Sequence, residues 1–332
     1  MKDISVIIPS NHGHRDLLKI VQAICNQTVK PTEIVIVDSS QARGECPEEI
    51  ISLCAFTDVQ LIYEHRTKAL PGHARNLGLS MSNCDLIAFI DVQTIPRPNW
   101  LEISLNVLAS NVVAGVWGAT YFSAYTPFER FVRDGFYGVA PRTTLPGTVV
   151  RRDVFAKVGQ FVDWVRAGED SEWMLRLELH KLPLIRPPKA SIDYVGLVGS
   201  NLEQLLKKWY RNYAASRDLP HFFPQRMLLW LVLYPLIVLI AFNWNYLLAD
   251  WRMDSPLYIG HVTKIVVVLP CLGYLCVRGI VLPFKRGVGI WELLPIRFIA
   301  ITGICFMADV VKVLVFSNPK RKYSATRMDM DV

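Results

Sequence analysis

The chain has 332 residues, with 36 Lys and Arg against 29 Asp and Glu, a formal net charge of +7. It is 52% hydrophobic, and its mean hydropathy is +0.26. Such a composition excludes a disordered or collagen-like chain, and the 20% of charged residues excludes one lying wholly inside a membrane. What remains is a mixture of one soluble domain and a membrane part.

The soluble part comes first. Residues 4–9 form a short apolar, β-branched run that predicts a buried strand. Leu17, Leu18, Val21 and Ile24 then repeat at helical spacing. Residues 27–32 break that helix. Residues 33–37 are a second β-branched run, ending at Asp38. Residues 59–63 predict a third strand, 73–82 a helix, and 86–90 a fourth strand ending at Asp91. Strands alternating with helices predict an α/β fold, a mostly parallel sheet with helices on both faces. Ligands of such sheets bind beyond the carboxyl ends of the strands. Pro9, Ser10, Asp38 and Asp91 all sit at those ends, so they are expected to converge on one crevice. His12 and His14 follow the first strand and belong to the same neighbourhood. Taken singly, Asp38 reads equally as a turn residue or helix cap, and Arg75 as a surface cation.

Six segments in order carry a resemblance. They are Ser-Val-Ile-Ile-Pro-Ser at 5–10, Gln-Thr-Val-Lys-Pro-Thr-Glu-Ile-Val-Ile-Val-Asp-Ser-Ser at 27–40, and Pro-Gly-His-Ala-Arg-Asn-Leu-Gly at 71–78. Leu-Ile-Ala-Phe-Ile-Asp-Val-Gln at 86–93, Arg-Arg-Asp-Val-Phe-Ala-Lys-Val-Gly-Gln-Phe at 151–161 and Gly-Glu-Asp-Ser-Glu-Trp at 168–173 complete the set. Together they resemble family-2 glycosyltransferases with the GT-A fold, over residues 4 to 180. The resemblance implies a nucleotide-sugar donor. Pro9, Ser10, Asp38, Arg75 and Asp91 would bind it, Asp38 at the nucleobase and Arg75 at the diphosphate, where a guanidinium fork suits the charge. It implies Asp170 as the catalytic base of an inverting transfer. Glu169 and Trp173 are then expected on the acceptor side. The family's Asp-x-Asp, which holds Mg²⁺ or Mn²⁺, is replaced here by Asp-Val-Gln, so the metal ligands would be Asp91 and the weaker Gln93. Three readings of that departure remain: a metal held with more water, basic residues in its place, or a non-catalytic partner protein.

After residue 200 the character changes. Residues 201–226 predict a basic interfacial helix or linker, in which Lys207, Lys208, Trp209 and Arg211 interleave charge with aromatics. That pattern suits a membrane surface, and sharper still, the phosphates of a lipid-linked acceptor. Within the membrane region 227–316, residues 227–249 and 255–277 are expected to span, each close to the roughly 20 apolar residues a bilayer core needs. Residues 291–316 carry Arg297, Asp309 and Lys312 and are expected either to lie in the interface or to span. Residues 317–332 are a basic tail. The N-terminal run lacks the features of a secretory signal. The basic residues 278, 285, 286 and 320–322 place the domain 1–200 on the cytoplasmic side by the positive-inside rule.

The seven cysteines show no zinc or redox spacing and read as small buried hydrophobes in a reducing compartment. The positive charge clusters beside the apolar segments, which favours an anionic lipid over nucleic acid as partner. The combined expectation is a membrane-anchored inverting glycosyltransferase, passing a sugar to a polyprenyl-diphosphate-linked oligosaccharide for a surface polysaccharide or glycoconjugate. The alternatives are a polyprenyl-phosphate glycosyltransferase or a non-catalytic nucleotide-sugar-binding subunit.

Overall fold

The computed structural model describes residues 3–11, 14–40, 45–197, 201–217, 219, 225–249 and 251–317. Its centre is a nine-stranded sheet. The strands are β1 Ile4–Ser10, β2 Glu33–Asp38, β3 Gln60–His65, β4 Leu86–Phe89, β5 Thr94–Pro96, β6 Gly115–Phe122, β7 Arg142–Arg151, β8 Leu184–Ile185 and β9 Ile192–Tyr194. Their order is β3-β2-β1-β4-β7-β6-β9-β5, with β8 beside β6.

The first four strands are the parallel block expected from the sequence. The apolar runs of β1, β2 and β4 are buried on both faces, the signature of a sheet covered by helices on either side, while β3 at the edge is only half-buried. Alternation divides them. Val6, Ile8, Ile34, Ile36 and Ala88 pack with Leu17, Ile20 and Ile24 of the helix His14–Cys25. Ile7, Val35, Ile87 and Phe89 face the other way, onto Phe155, Phe161 and Trp173. Beyond β4 the sheet turns mixed, because β7 runs antiparallel to both β4 and β6. None of β5 to β9 stood out in the sequence. β8 is only two residues long and β5 and β9 three each, too short for a periodicity to register.

Register brings the polar strand ends together. Ser10 is opposite Asp38, and Asp38 opposite His65. The Ser39 amide donates to the Ser10 carbonyl at 2.7 Å. At the opposite ends, Glu33 fastens the block. It accepts from Ser5 Oγ at 2.5 Å and from the Asn83 amide at 2.6 Å. Burial alone would raise this carboxyl, but those donors overcome it and hold it below the ordinary carboxylate range.

The C-terminal third is helical. Helix Leu202–Ser216 buries Leu205 and Trp209. Helix Gln225–Ala249 follows. The next helix starts at Val262, not near 255, and continues through a π-helical turn at Val277–Val281 to Lys285. Arg278 therefore lies within a helix and not in the loop after it. The helix Arg297–Ser317 closes the described chain. Among the described residues two segments, Lys264–Lys285 and Arg297–Ser317, are long and apolar enough to cross a membrane. The second is not free of the first half. Ile301, Ile304, Cys305 and Ala308 are buried against Val132, Phe131, Phe136 and Trp209. Asp134, with no exposed surface, pairs with Arg133 at 3.0 Å and with Arg297. Arg278 and Tyr274 both reach Asp309, at 2.9 and 2.8 Å. Two of the charges that interrupt the apolar run, Arg297 and Asp309, are thus paired, while Lys312 lies 6.0 Å from the centre of the Tyr213 ring. His12, the side chain of His14, residues 220–224 of the linker and the tail after Ser317 lie outside the described residues.

Candidate active site

The crevice is framed by the ends of β1, β2 and β4 and by the starts of two helices. One is Pro71–Met81, opened by Pro at its first position. The other is Glu169–Leu179. Gly72 lies so close to the chain at Val162 that an added Cβ would sit 1.9 Å from the Val162 carbonyl oxygen. That approach presses the first helix against the segment leading to the second.

Arg75, one turn into the first helix, joins the two. Its guanidinium donates to Glu169 Oε1 at 2.6 Å and to Asp91 Oδ1 at 2.8 Å, and it lies 5.7 Å from the centre of the Phe161 ring. Arg75 and Glu169 are both buried, while the Asp91 side chain is one-third exposed. Burial opposes the charge on Arg75, but Asp91 and Glu169 more than restore it and raise its pKa. Burial pushes the Glu169 carboxyl up, against the pull of Arg75, and the neighbouring Asp170 pushes the same way. Arg75 Nε and Glu169 Oε2 are buried without a partner among the described residues. Asp91 is held by a tight turn in which its amide donates to Thr94 Oγ1 and that hydroxyl donates back to its carbonyl.

Asp38 is buried and already partnered. Ser40 donates from its amide at 3.1 Å and its hydroxyl at 2.7 Å, and the Tyr63 hydroxyl donates at 3.1 Å. Burial and the Asp38 charge push the Tyr63 phenol up. A carboxylate has about four acceptor sites, so Asp38 keeps capacity for a further donor. The Asp170 carboxylate is half-buried. Its Oδ1 accepts from the Ser171 amide at 2.7 Å and the Ser171 hydroxyl at 3.2 Å. Its Oδ2 has no hydrogen-bond partner among the described residues.

Several expectations from the sequence need correction. Arg75 does not present its guanidinium to an open anion site, because Glu169 and Asp91 occupy both terminal nitrogens. Trp173 is fully buried, stacked with Phe155 and Phe161, its indole N–H given to the Gly159 carbonyl at 3.0 Å. It supports the floor under Arg75 and has no surface for an acceptor. Trp209 packs on Phe136 with ring centres 5.1 Å apart and is likewise core. Lys207 pairs with Glu203 at 2.7 Å on an exposed face. The Gln93 side-chain oxygen accepts from the Tyr194 hydroxyl, which leaves it one further lone pair.

Lys208 and Arg211 behave differently. Both have lowered pKa values, Lys208 by burial and then Arg211, and Arg211 by burial and then Arg166. Arg166 escaped the sequence reading. Its signal was a cation four residues ahead of Asp170, in Trp-Val-Arg-Ala-Gly-Glu-Asp at 164–170.

No group of three or more His, Cys, Asp or Glu that could cage a metal occurs among the described residues. Asp91, at the donor strand ends, keeps a carboxylate oxygen without a hydrogen bond among the described residues, as do Glu169, whose free oxygen is buried, and Asp170. The Asp91 oxygen fits a divalent ion of the kind bound through one carboxylate plus substrate phosphates, with Asp91 as the protein ligand.

Comparison with known proteins fits this geometry. Residues 5–162 match the family model described as glycosyl transferase family 2. Over 194 residues the chain is 26% identical to a pre-mycofactocin glycosyltransferase of Mycobacterium tuberculosis, covering 53% of this chain and 39% of that protein. Over 186 residues it is 25% identical to the glycosyltransferase AglE of Haloferax volcanii, covering 52% and 60%. The chain thus spans less than two thirds of either relative. Among solved structures, S. aureus TarS 1–349 in complex with UDP aligns over 95% of this chain and 89% of that one, with a TM-score of 0.46 and 12% identity. The match covers β1 to β7 with Arg75 and Asp91 and stops short of Glu169, and residues 5–162 carry a glycosyl transferase family 2 domain.

Proposed function

We propose that this protein transfers a sugar, with inversion, from a nucleotide-sugar donor to a hydroxyl of a lipid-linked acceptor in glycoconjugate or polysaccharide synthesis. The observation that carries the reading is the position of Asp170. It opens the helix whose neighbouring residue, Glu169, is tied through Arg75 to Asp91 at the donor strand ends.

The nucleoside would lie over Ser10 and Asp38, and the diphosphate near Asp91. Asp91 would hold a divalent ion together with the diphosphate, and such an ion would supply charge neutralisation for the leaving group. Asp170 takes the proton from the acceptor hydroxyl, whose oxygen forms the new bond to the anomeric carbon. The bond from that carbon to the diphosphate breaks on the opposite side. Arg75 holds Glu169 and Asp91 at fixed separation, so donor and acceptor ends of the crevice keep their geometry.

The outward-facing apolar surfaces of the C-terminal helices support membrane attachment, with the catalytic half on the cytoplasmic side. The close packing of Arg297–Ser317 on the catalytic half supports an interfacial position for that helix.

Replacing Asp170 by Asn is expected to lower transfer by a factor of about 10² to 10⁴, with donor binding unchanged by calorimetry. Turnover within tenfold of the parent protein overturns Asp170 as base. That outcome would favour a phosphate nucleophile, which needs no base, and hence a polyprenyl-phosphate glycosyltransferase. Chelation by EDTA is expected to weaken donor binding. Full activity in EDTA removes the divalent ion from the mechanism.

A further inference from the structure

On the face of helix Leu202–Ser216 beside its buried stripe, Lys208 and Arg211 stand three residues apart, the spacing at which helical side chains are neighbours. The C-terminal end of that helix meets the loop before the catalytic helix. A Cβ on Gly168 would touch Ser216 and Leu219 at 3.1 and 2.8 Å, and the positive φ of 92° at Gly168 lets the loop make that approach. Arg166 is on this loop, two residues ahead of Gly168 and four ahead of Asp170. None of the three cations has a hydrogen bond or an ion pair among the described residues. Other exposed pairs nearby are matched, as Lys207 is with Glu203. Here Arg211 feels Arg166, and Lys208 feels Arg211, as like charges, with Lys208 more buried than exposed. Such an arrangement is costly for the protein alone and is relieved by an anion. The same two segments expose two large aromatics, Trp164 and Tyr210, 47% and 51% exposed. Aromatics beside cations suit the boundary between headgroups and hydrocarbon.

We propose that Arg166, Lys208 and Arg211 form a phosphoryl-binding site for an isoprenoid phosphate or diphosphate, which anchors the lipid end of the acceptor beside Asp170. The assignment rests on the reading that the acceptor is lipid-linked. It adds which residues recognise the lipid: two from the interfacial helix and one from the loop of the catalytic half. Guanidinium and ammonium groups supply charge-assisted hydrogen bonds to phosphoryl oxygens. Trp164 and Tyr210 supply apolar surface for the first isoprene units.

The test uses the full chain in detergent micelles, with farnesyl diphosphate as probe, farnesol and inorganic diphosphate as comparisons, and phosphatidylglycerol micelles as competitor. Farnesyl diphosphate is expected to bind at least about tenfold more tightly than either comparison, since each lacks one half of the ligand. Arg166→Gln and Lys208→Gln are each expected to weaken it about five- to tenfold, while Lys157→Gln, a distant charge removal, leaves it unchanged. Retained melting temperature shows that the variants fold. Binding of the variants within twofold of the parent protein overturns the site. Equal affinity for inorganic diphosphate assigns the site to a free anion, and displacement by equimolar phosphatidylglycerol assigns it to bulk headgroups. Either result overturns the isoprenoid assignment. The Asp170→Asn assay answers separately. Farnesyl diphosphate binding that depends on Arg166 and Lys208, together with no transfer to any lipid-linked acceptor, rejects the proposed function and keeps the site. Transfer that survives both substitutions rejects the site and keeps the function.

Discussion

Arg75 is the residue on which the crevice turns. It is buried between two carboxylates that lie 16 and 94 residues away in the chain. Removing one member of such a buried group leaves the others charged and uncompensated. Arg75→Met is expected to cost about 3–5 kcal/mol of stability, read as a lowered midpoint of chemical unfolding. The sequence marked Arg75, Asp91 and Glu169 as functional, and the structure brings all three together. Their mutual pairing was not legible, because a motif shows that a cation meets an anion and not which anion. Trp173 illustrates the converse. Its place one turn after Asp170 suggested a shared surface, yet the helix turns it toward Phe89 and Phe155. Glu33 carries a pH signature of known sign. Its pKa is depressed in the folded protein, so its contribution is present above the ordinary carboxylate value and is lost as pH falls through the folded value. Glu33→Gln is expected to cost about 1–3 kcal/mol at neutral pH. The gap to the parent protein should close below about pH 4 in denaturation series taken across pH.

At the scale of elements, the parallel block announced itself because fully buried strands need unbroken apolar runs that stop at a polar residue. β1, β2 and β4 do so at Ser10, at Asp38 and just short of Asp91. The antiparallel half did not, since β6 and β7 mix Gly, Pro and Thr with apolar residues and the outer strands, two or three residues long, are too short to repeat a pattern. Gly115 and Gly118 in β6 sit against the backbone of β7, in a stretch where the register shifts. A close approach also governs the helix Pro71–Met81. Gly72→Ala would drive a methyl group into the Val162 carbonyl oxygen. Since backbone must move, the expected cost is about 1–3 kcal/mol or more. Donor binding should fall with it, because Arg75 rides on the displaced helix. Calorimetry on the variant beside its melting temperature checks both.

Across the whole molecule, the joint between the two halves is made by charge as well as by apolar packing. The helix Pro127–Phe136, started by a Thr126–Glu129 capping box, carries the fully buried Asp134. Arg133 from the same helix and Arg297 from the last one converge on it. Asp134→Ala would leave two cations facing one another in the interior. A loss of about 3–5 kcal/mol is expected, seen in detergent as a lower melting temperature and as loosening of the last helix in hydrogen exchange. Sequence showed that helix as an apolar run with misplaced charges. Its partners explain how the charges are tolerated: Asp134 of the catalytic half takes Arg297, and Arg278 of the preceding helix takes Asp309.

The bolted contact between Arg297–Ser317 and the catalytic half has a further consequence. A tethered domain on a loose stalk could swing its crevice over a wide shell of heights. Under the proposed function, with that helix resting in the bilayer surface, the domain would work at one height only. The protein would then act as a gauge. It would select among acceptors by how far their reactive hydroxyl stands from the lipid, and a product lengthened by one sugar would no longer meet Asp170.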